Sequence, residues 1–153
     1  MSIEDNLKEL NIHLPQAPKP VGAYVAYKKT SNLIFISGQL SVKADGELIK
    51  GKIGSNLTLE QGQEAAQLCA VNILSQIKSA CDGDLGKIKN CIKITGFVNS
   101  TDSFMDQPKV INKASELLVK ILGTNGIHSR AAVSVNSLPL GAAVEIEAIF
   151  EVG

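Results

Sequence analysis

The sequence predicts an α+β domain in which a mixed β-sheet carries two helices on one face, in the order β-β-α-β-α-β-β. Three observations lead there. A capping box, Thr58 with Gln61 three residues on, opens a stretch in which Ala65, Leu68, Cys69, Asn72, Ile73, Gln76 and Ile77 recur at helical spacing. Residues 88–99 are rich in β-branched side chains that alternate with polar ones, the period of a strand. Two more β-rich runs, 130–136 and 143–152, close the chain on either side of Ser137-Leu138-Pro139-Leu140-Gly141.

The elements follow in order. Residues 3–10 suit a short helix, and Pro15, Pro18 and Pro20 stop it and force an extended arm that occupies residues 1–22. Residues 24–28 and 33–37 form two strands joined by a hairpin turn at Lys29-Thr30-Ser31-Asn32. Asp45-Gly46, Gly51 and Gly54 make residues 43–55 a loop. The first long helix then runs to the Asp82-Gly83 turn. After the strand at 88–99, Thr101 or Asp102 caps a second helix that ends near Leu122, with Gly123 and Gly126 as stop signals. Pro108 is tolerated there only in a first turn, which requires a start close to Asp106. A two-layer stack of this order leaves one sheet face bare. Its apolar residues, Val133, Val135, Ile146 and Ala148 or their alternates, call for a symmetric neighbour, so an oligomer is expected.

Composition narrows the function. At 153 residues the chain suits one domain, 1–153, able to bury roughly 68–70% of its unfolded surface. With 44% hydrophobic residues and no Trp, its core is aliphatic. Fifteen basic residues balance fifteen acidic ones without a basic stripe, which argues against a nucleic-acid partner. Residues 1–14 lack a basic segment followed by an apolar one, and no apolar run nears the ~20 residues that span a bilayer, so a cytoplasmic protein without membrane partners is expected. Cys69, Cys81 and Cys91 have no metal or redox spacing and are expected to be reduced, buried small residues. His13 and His128 stand far apart with no further ligands nearby, so neither a metal nor another cofactor is expected.

Four segments together resemble the RidA/YjgF family, also labelled endoribonuclease L-PSP: Ala23-Tyr24-Val25, Ile36-Ser37-Gly38-Gln39, Val110-Ile111-Asn112, and Ser129-Arg130-Ala131-Ala132-Val133 followed by Val144-Glu145-Ile146-Glu147-Ala148-Ile149. The resemblance runs nearly the whole chain. It implies a chorismate-mutase-like fold, a homotrimer with clefts between subunits, and deamination of 2-imino or 2-enamine acids such as 2-aminoacrylate to 2-oxo acids. Its upstream metabolic link is to pyridoxal-phosphate enzymes that release enamines, without a stable complex. This chain departs from the commonest pattern in a longer arm, extra residues in the loop 41–56, and Ala132 where a Cys is frequent.

An imino acid offers a carboxylate beside the C=N carbon that water attacks, so the site needs an anion anchor and a group to manage water. Arg130, the only Arg of the chain, can grip a carboxylate with two parallel hydrogen bonds, or it can serve as a surface ion-pair partner. The resemblance selects the anchor. Glu145 and Glu147 share one strand face, and either a solvated surface or a water-handling carboxylate fits them. The resemblance selects Glu145 as catalytic with Arg130. Tyr24 is a cleft-closing phenol or a half-buried strand aromatic, and Ser37-Gly38 is a ligand-approach point or plain strand-end geometry. Asn112 resembles the family's cleft asparagine. These four, with Arg130, are the expected substrate-binding residues. No Ser-His-Asp pattern, phosphate loop or dinucleotide fingerprint is present. The leading expectation is cofactor-free imine deamination; a metabolite sensor binding small carboxylates through Arg130 is the alternative, with ribonuclease activity behind it.

Overall fold

Why each segment takes its form is visible at its ends. The computed structural model describes residues 1–153. Helix α1 (Ile3–Glu9) starts on a Ser2–Asp5 capping box. It docks on the end of the second long helix, where Asn6 Nδ2 donates to Ile121 O at 2.8 Å, and it buries Leu7. The arm is therefore anchored at both ends, because Gln76 Nε2 also donates to Pro18 O at 2.6 Å.

Strand β1 (Tyr27–Thr30) pairs antiparallel with β2 (Leu33–Leu40), with Thr30 opposite Leu33. The turn is thus Ser31-Asn32 alone, with Ser31 at φ 53°. This shifts the expected hairpin: Lys29 and Thr30 join the strand, while Tyr24 precedes it, and β2 runs three residues past Ser37. Helix α2 (Leu59–Ala80) begins on the predicted box, Thr58 Oγ1 accepting from Gln61 N and Gln61 Oε1 from Thr58 N. Strand β3 (Ile88–Asn99) matches its predicted bounds.

Helix α3 (Gln107–Leu122) departs from expectation at its start. Neither Thr101 nor Asp102 caps it, since the Thr101 amide is bonded to Ile53 O and keeps the chain extended there. Asp106 occupies the cap position without a side-chain bond, and Pro108 falls in the first turn, where its missing N–H is harmless. Strands β4 (Ser129–Val135) and β5 (Val144–Val152) complete a five-stranded sheet of order β1-β2-β5-β3-β4, in which only the β3–β4 pair is parallel.

The long helices share one face, α2 against β2 and β5, α3 against β3 and β4. Beneath them Ile36, Ile94, Ile146, Ala148 and Phe150 are buried in one aliphatic cluster that reaches from α1 to β5. Ile146 and Ala148 thus belong to the core and not to the bare face. Their alternates on β5, Glu145, Glu147 and Ile149, face outward together with Phe35, Phe97 and Val133, whose register partners they are or share. The outer face is mixed where continuous apolar cover was expected, although Phe35 and Val133 remain 43% and 44% exposed on it.

The additional loop is fastened and not a free flap. Its Ile53 is fully buried and exchanges backbone hydrogen bonds with Asn99 and Thr101. Lys52 Nζ donates to Asn99 Oδ1 (2.9 Å), Ser100 O (3.1 Å) and Asn136 O (2.6 Å), so one ammonium ties the loop to the ends of β3 and β4. No helix is long and apolar enough to cross a membrane.

Candidate active site

The sheet register decides where the predicted residues can meet. One row across the sheet pairs Ile36 with Ala148, Ala148 with Ile94 and Ile94 with Arg130, and lies on the helix face. Another row pairs Leu40 with Glu145, Glu145 with Phe97 and Phe97 with Val133, on the outer face. Within one chain, Arg130 and Glu145 therefore project from opposite faces of the sheet. The expected residues fall into two groups.

The first group surrounds Glu145. The β2–β5 ladder skips from Ile36 to Gln39, which lifts Ser37 and Gly38 out of the regular pairing. A Cβ at Gly38 would overlap Glu145 Oε2, so only glycine leaves the carboxylate its place. Burial pushes the Glu145 carboxyl above the ordinary glutamate range, and the like charge of Glu147 pushes it further. Ser37 stitches the arm to the sheet: its Oγ donates to Val25 O at 2.7 Å and its amide to Ala26 O at 2.9 Å. That fixes the segment carrying Tyr24, which is half exposed and whose hydroxyl makes no hydrogen bond within the chain.

The second group surrounds Arg130 at the free edge of β4. Its Nη1 donates to Ser115 Oγ (3.1 Å) and its Nη2 to Pro108 O (3.3 Å), and no carboxylate pairs with it. Asn112 lies on the same stripe of α3, four residues after Pro108 and three before Ser115, and is exposed. The sequence did not single out Ser115 or His128. Gly126 O can only accept, so His128 Nδ1 carries its proton toward it at 2.6 Å. In the neutral imidazole Nε2 is then an acceptor for the Ser115 hydroxyl at 2.9 Å, which leaves that oxygen turned to receive Arg130. One sequence signal pointed here: His128 precedes Arg130 by two residues, just ahead of the strand that begins at Ser129.

Other chemistries find little support. All three cysteines are free and buried; burial raises the Cys69 thiol far above its usual value, with Glu145 adding to the rise, and pushes Cys91 up to about 12. Neither supplies a thiolate at neutral pH. No group of three or more His, Cys, Asp or Glu side chains is gathered to hold a metal ion. The arrangement offers a guanidinium without a carboxylate partner on one face of the sheet and a half-buried carboxylate against Gly38 on the other.

The fold that carries these two groups of residues is a two-layer α+β arrangement with both long helices on one face of a mixed sheet. Comparison with known proteins identifies it: residues 4–151 match the family model described as "YjgF/chorismate_mutase-like, putative endoribonuclease". The chain belongs to the YjgF family, with its chorismate-mutase-like fold. Protein TCP17 of Trypanosoma cruzi is 42% identical over 147 residues, which cover 95% of this chain and 91% of that one. The crystal structure of Atu1372 from Agrobacterium tumefaciens superposes with a TM-score of 0.91 at 45% identity, covering 99% of this chain and 94% of that chain. A protein of Dermatophagoides farinae named 2-iminobutanoate/2-iminopropanoate deaminase is 25% identical over 139 residues, 90% of this chain and 92% of its own.

Proposed function

We propose that this protein hydrolyses 2-imino and 2-enamine acids to 2-oxo acids and ammonia, in a cleft that two copies of the chain complete. The observation that carries the reading is the separation of Arg130 and Glu145. An arginine without a carboxylate partner and a carboxylate held above its ordinary titration range lie on opposite sheet faces, each at a surface a second copy can meet. A closed ring of three copies puts the β4 edge of one subunit against the β2–β5 surface of the next, so each interface joins one of each. The name of the mite relative supports the substrate class.

The chemistry follows from the groups. Arg130, held by Ser115 and Pro108, binds the substrate carboxylate with both guanidinium arms and fixes the C=N carbon opposite Glu145. Water adds its oxygen to that carbon; its proton passes to the Glu145 carboxylate and from there to the nitrogen. Glu145 then takes the hydroxyl proton of the tetrahedral adduct and delivers it to the NH2 group as the C–N bond breaks, so that ammonia leaves and the C=O of the 2-oxo acid forms. A carboxyl with a raised pKa suits these transfers, because burial and the charge of Glu147 make its carboxylate a stronger base than an ordinary glutamate. An enamine enters by the same route once it has gained a proton at carbon. Tyr24 closes the cleft over the ligand and Asn112 contributes an amide beside Arg130. Enamine-releasing pyridoxal-phosphate enzymes are the metabolic source of substrate.

The test is the disappearance of a 2-imino acid, released by an amino-acid oxidase and trapped by semicarbazide. Wild type accelerates its loss, and Arg130→Ala does so at least 100-fold less while keeping its oligomeric mass. Tight 2-oxobutyrate binding without acceleration would instead make the protein a carboxylate sensor.

A further inference from the structure

A cavity of about 220 Å³ opens between the arm and the end of β2. Pro18, Pro20, Val21, Tyr24, Leu40 and Leu140 give it apolar walls, into which Lys19, Gln39 and Asn72 bring polar groups. Gly38 lines it too, and Gly38 is the residue against which the Glu145 carboxylate rests, so the cavity adjoins the proposed reaction centre. Two features mark it as built. Leu140 holds a left-handed conformation, φ 60°, in which a side chain costs about 1 kcal/mol or more, and it is 66% exposed on this wall.

The second feature is an unpartnered polar atom. Asn72 is only 3% exposed, and its Nδ2 donates to both Leu40 O (3.1 Å) and Val42 O (3.0 Å). Both neighbours are acceptors, so the amide orientation is forced and Oδ1 points away without a donor. No fully enclosed side-chain oxygen or nitrogen lacks a partner, so this oxygen reaches open space, and the space that Asn72 lines is this cavity. Asn72 thus supplies an acceptor inside a recess whose other polar side chains are Lys19 and Gln39.

Resting on the deaminase reading above, we infer that this cavity is the substrate's side-chain subsite and selects aromatic 2-imino acids carrying a neutral hydrogen-bond donor at the far end of the ring, a phenol or an indole N–H. Size allows the ring, since roughly 150 Å³ of apolar cavity suffices for benzene. The acceptor at Asn72 selects the donor, because a plain ring leaves that oxygen desolvated and unpaired. Lys19 on the rim disfavours a cationic side chain.

Titration of the full-length protein with pyruvate, phenylpyruvate and 4-hydroxyphenylpyruvate, the corresponding product acids, tests this. The expected order of affinity is 4-hydroxyphenylpyruvate, then phenylpyruvate at least threefold weaker, then pyruvate at least tenfold weaker again. Val21→Asp, at a position 70% exposed and safe for folding, is expected to shrink the ratio between the aromatic acids and pyruvate at least fivefold. Equal affinities, or ratios untouched by Val21→Asp, would overturn the subsite. Imine turnover is read alongside with tyrosine- and alanine-derived imines. If neither is hydrolysed while the affinity order holds, the subsite stands and deamination fails; hydrolysis of the alanine-derived imine with a flat affinity order has the opposite meaning.

Discussion

Glu145 is where sequence, packing and chemistry meet in one residue. Its folded-state pKa is raised, so the folded protein binds this proton more tightly than the unfolded chain does. Ionising it therefore costs stability, and the cost sets in as pH rises above the ordinary glutamate value of about 4.3. Glu145→Gln is expected to lower imine turnover at least 100-fold and to raise the melting temperature at pH 7–8, with the gain vanishing below about pH 4. Thermal scans across that range check the sign, and a gain that grew toward acid would contradict it. Gly38→Ala tests the same contact from the other side. The added methyl displaces the carboxylate, so turnover falls at least tenfold while the fold is kept. Arg130 and Glu145 were nameable from the sequence because their residue types and spacing sit in a recognisable block. Ser115 and His128 were not, because their link to Arg130 exists only once α3 lies over β4.

At the scale of elements, local chemistry was legible and competition between elements was not. The Thr58–Gln61 box and the alternation of residues 88–99 each act within a few residues, and both elements form as expected. The start of α3 was misplaced because Thr101, a good cap in isolation, is claimed by the loop through Ile53 O. The hairpin shifted because a two-residue turn at Ser31-Asn32 satisfies more ladder bonds than a four-residue one. Lys52 is the element-scale device that no motif announces. Lys52→Met removes three ammonium hydrogen bonds at once and should cost about 2 kcal/mol. Hydrogen exchange at the Gly51 and Ile53 amides is expected to quicken well before the rest of the sheet opens; uniform exchange across the molecule would mean that the loop is held by Ile53 packing alone.

For the whole molecule, the order of elements carried the two layers, but it left open whether Ile146 and Ala148 or their alternates lie on the bare face, and it is the alternates that do. A β-strand pattern with apolar residues at both parities does not say which parity the helices cover. The structure settles that: the helices cover the parity of Ile146 and Ala148. If one subunit supplies Arg130 and the next supplies Glu145, two dead variants are complementary. An equimolar mixture of Arg130→Ala and Glu145→Gln chains, co-folded into one population, contains interfaces that keep both native residues. Random closed assembly makes about one quarter of the interfaces intact, so the mixture should recover about one quarter of wild-type imine hydrolysis. The trapped-imine rate of that co-folded mixture is the measurement to make. Recovery near that level is the predicted result, and a rate no higher than that of either variant alone would contradict the shared site.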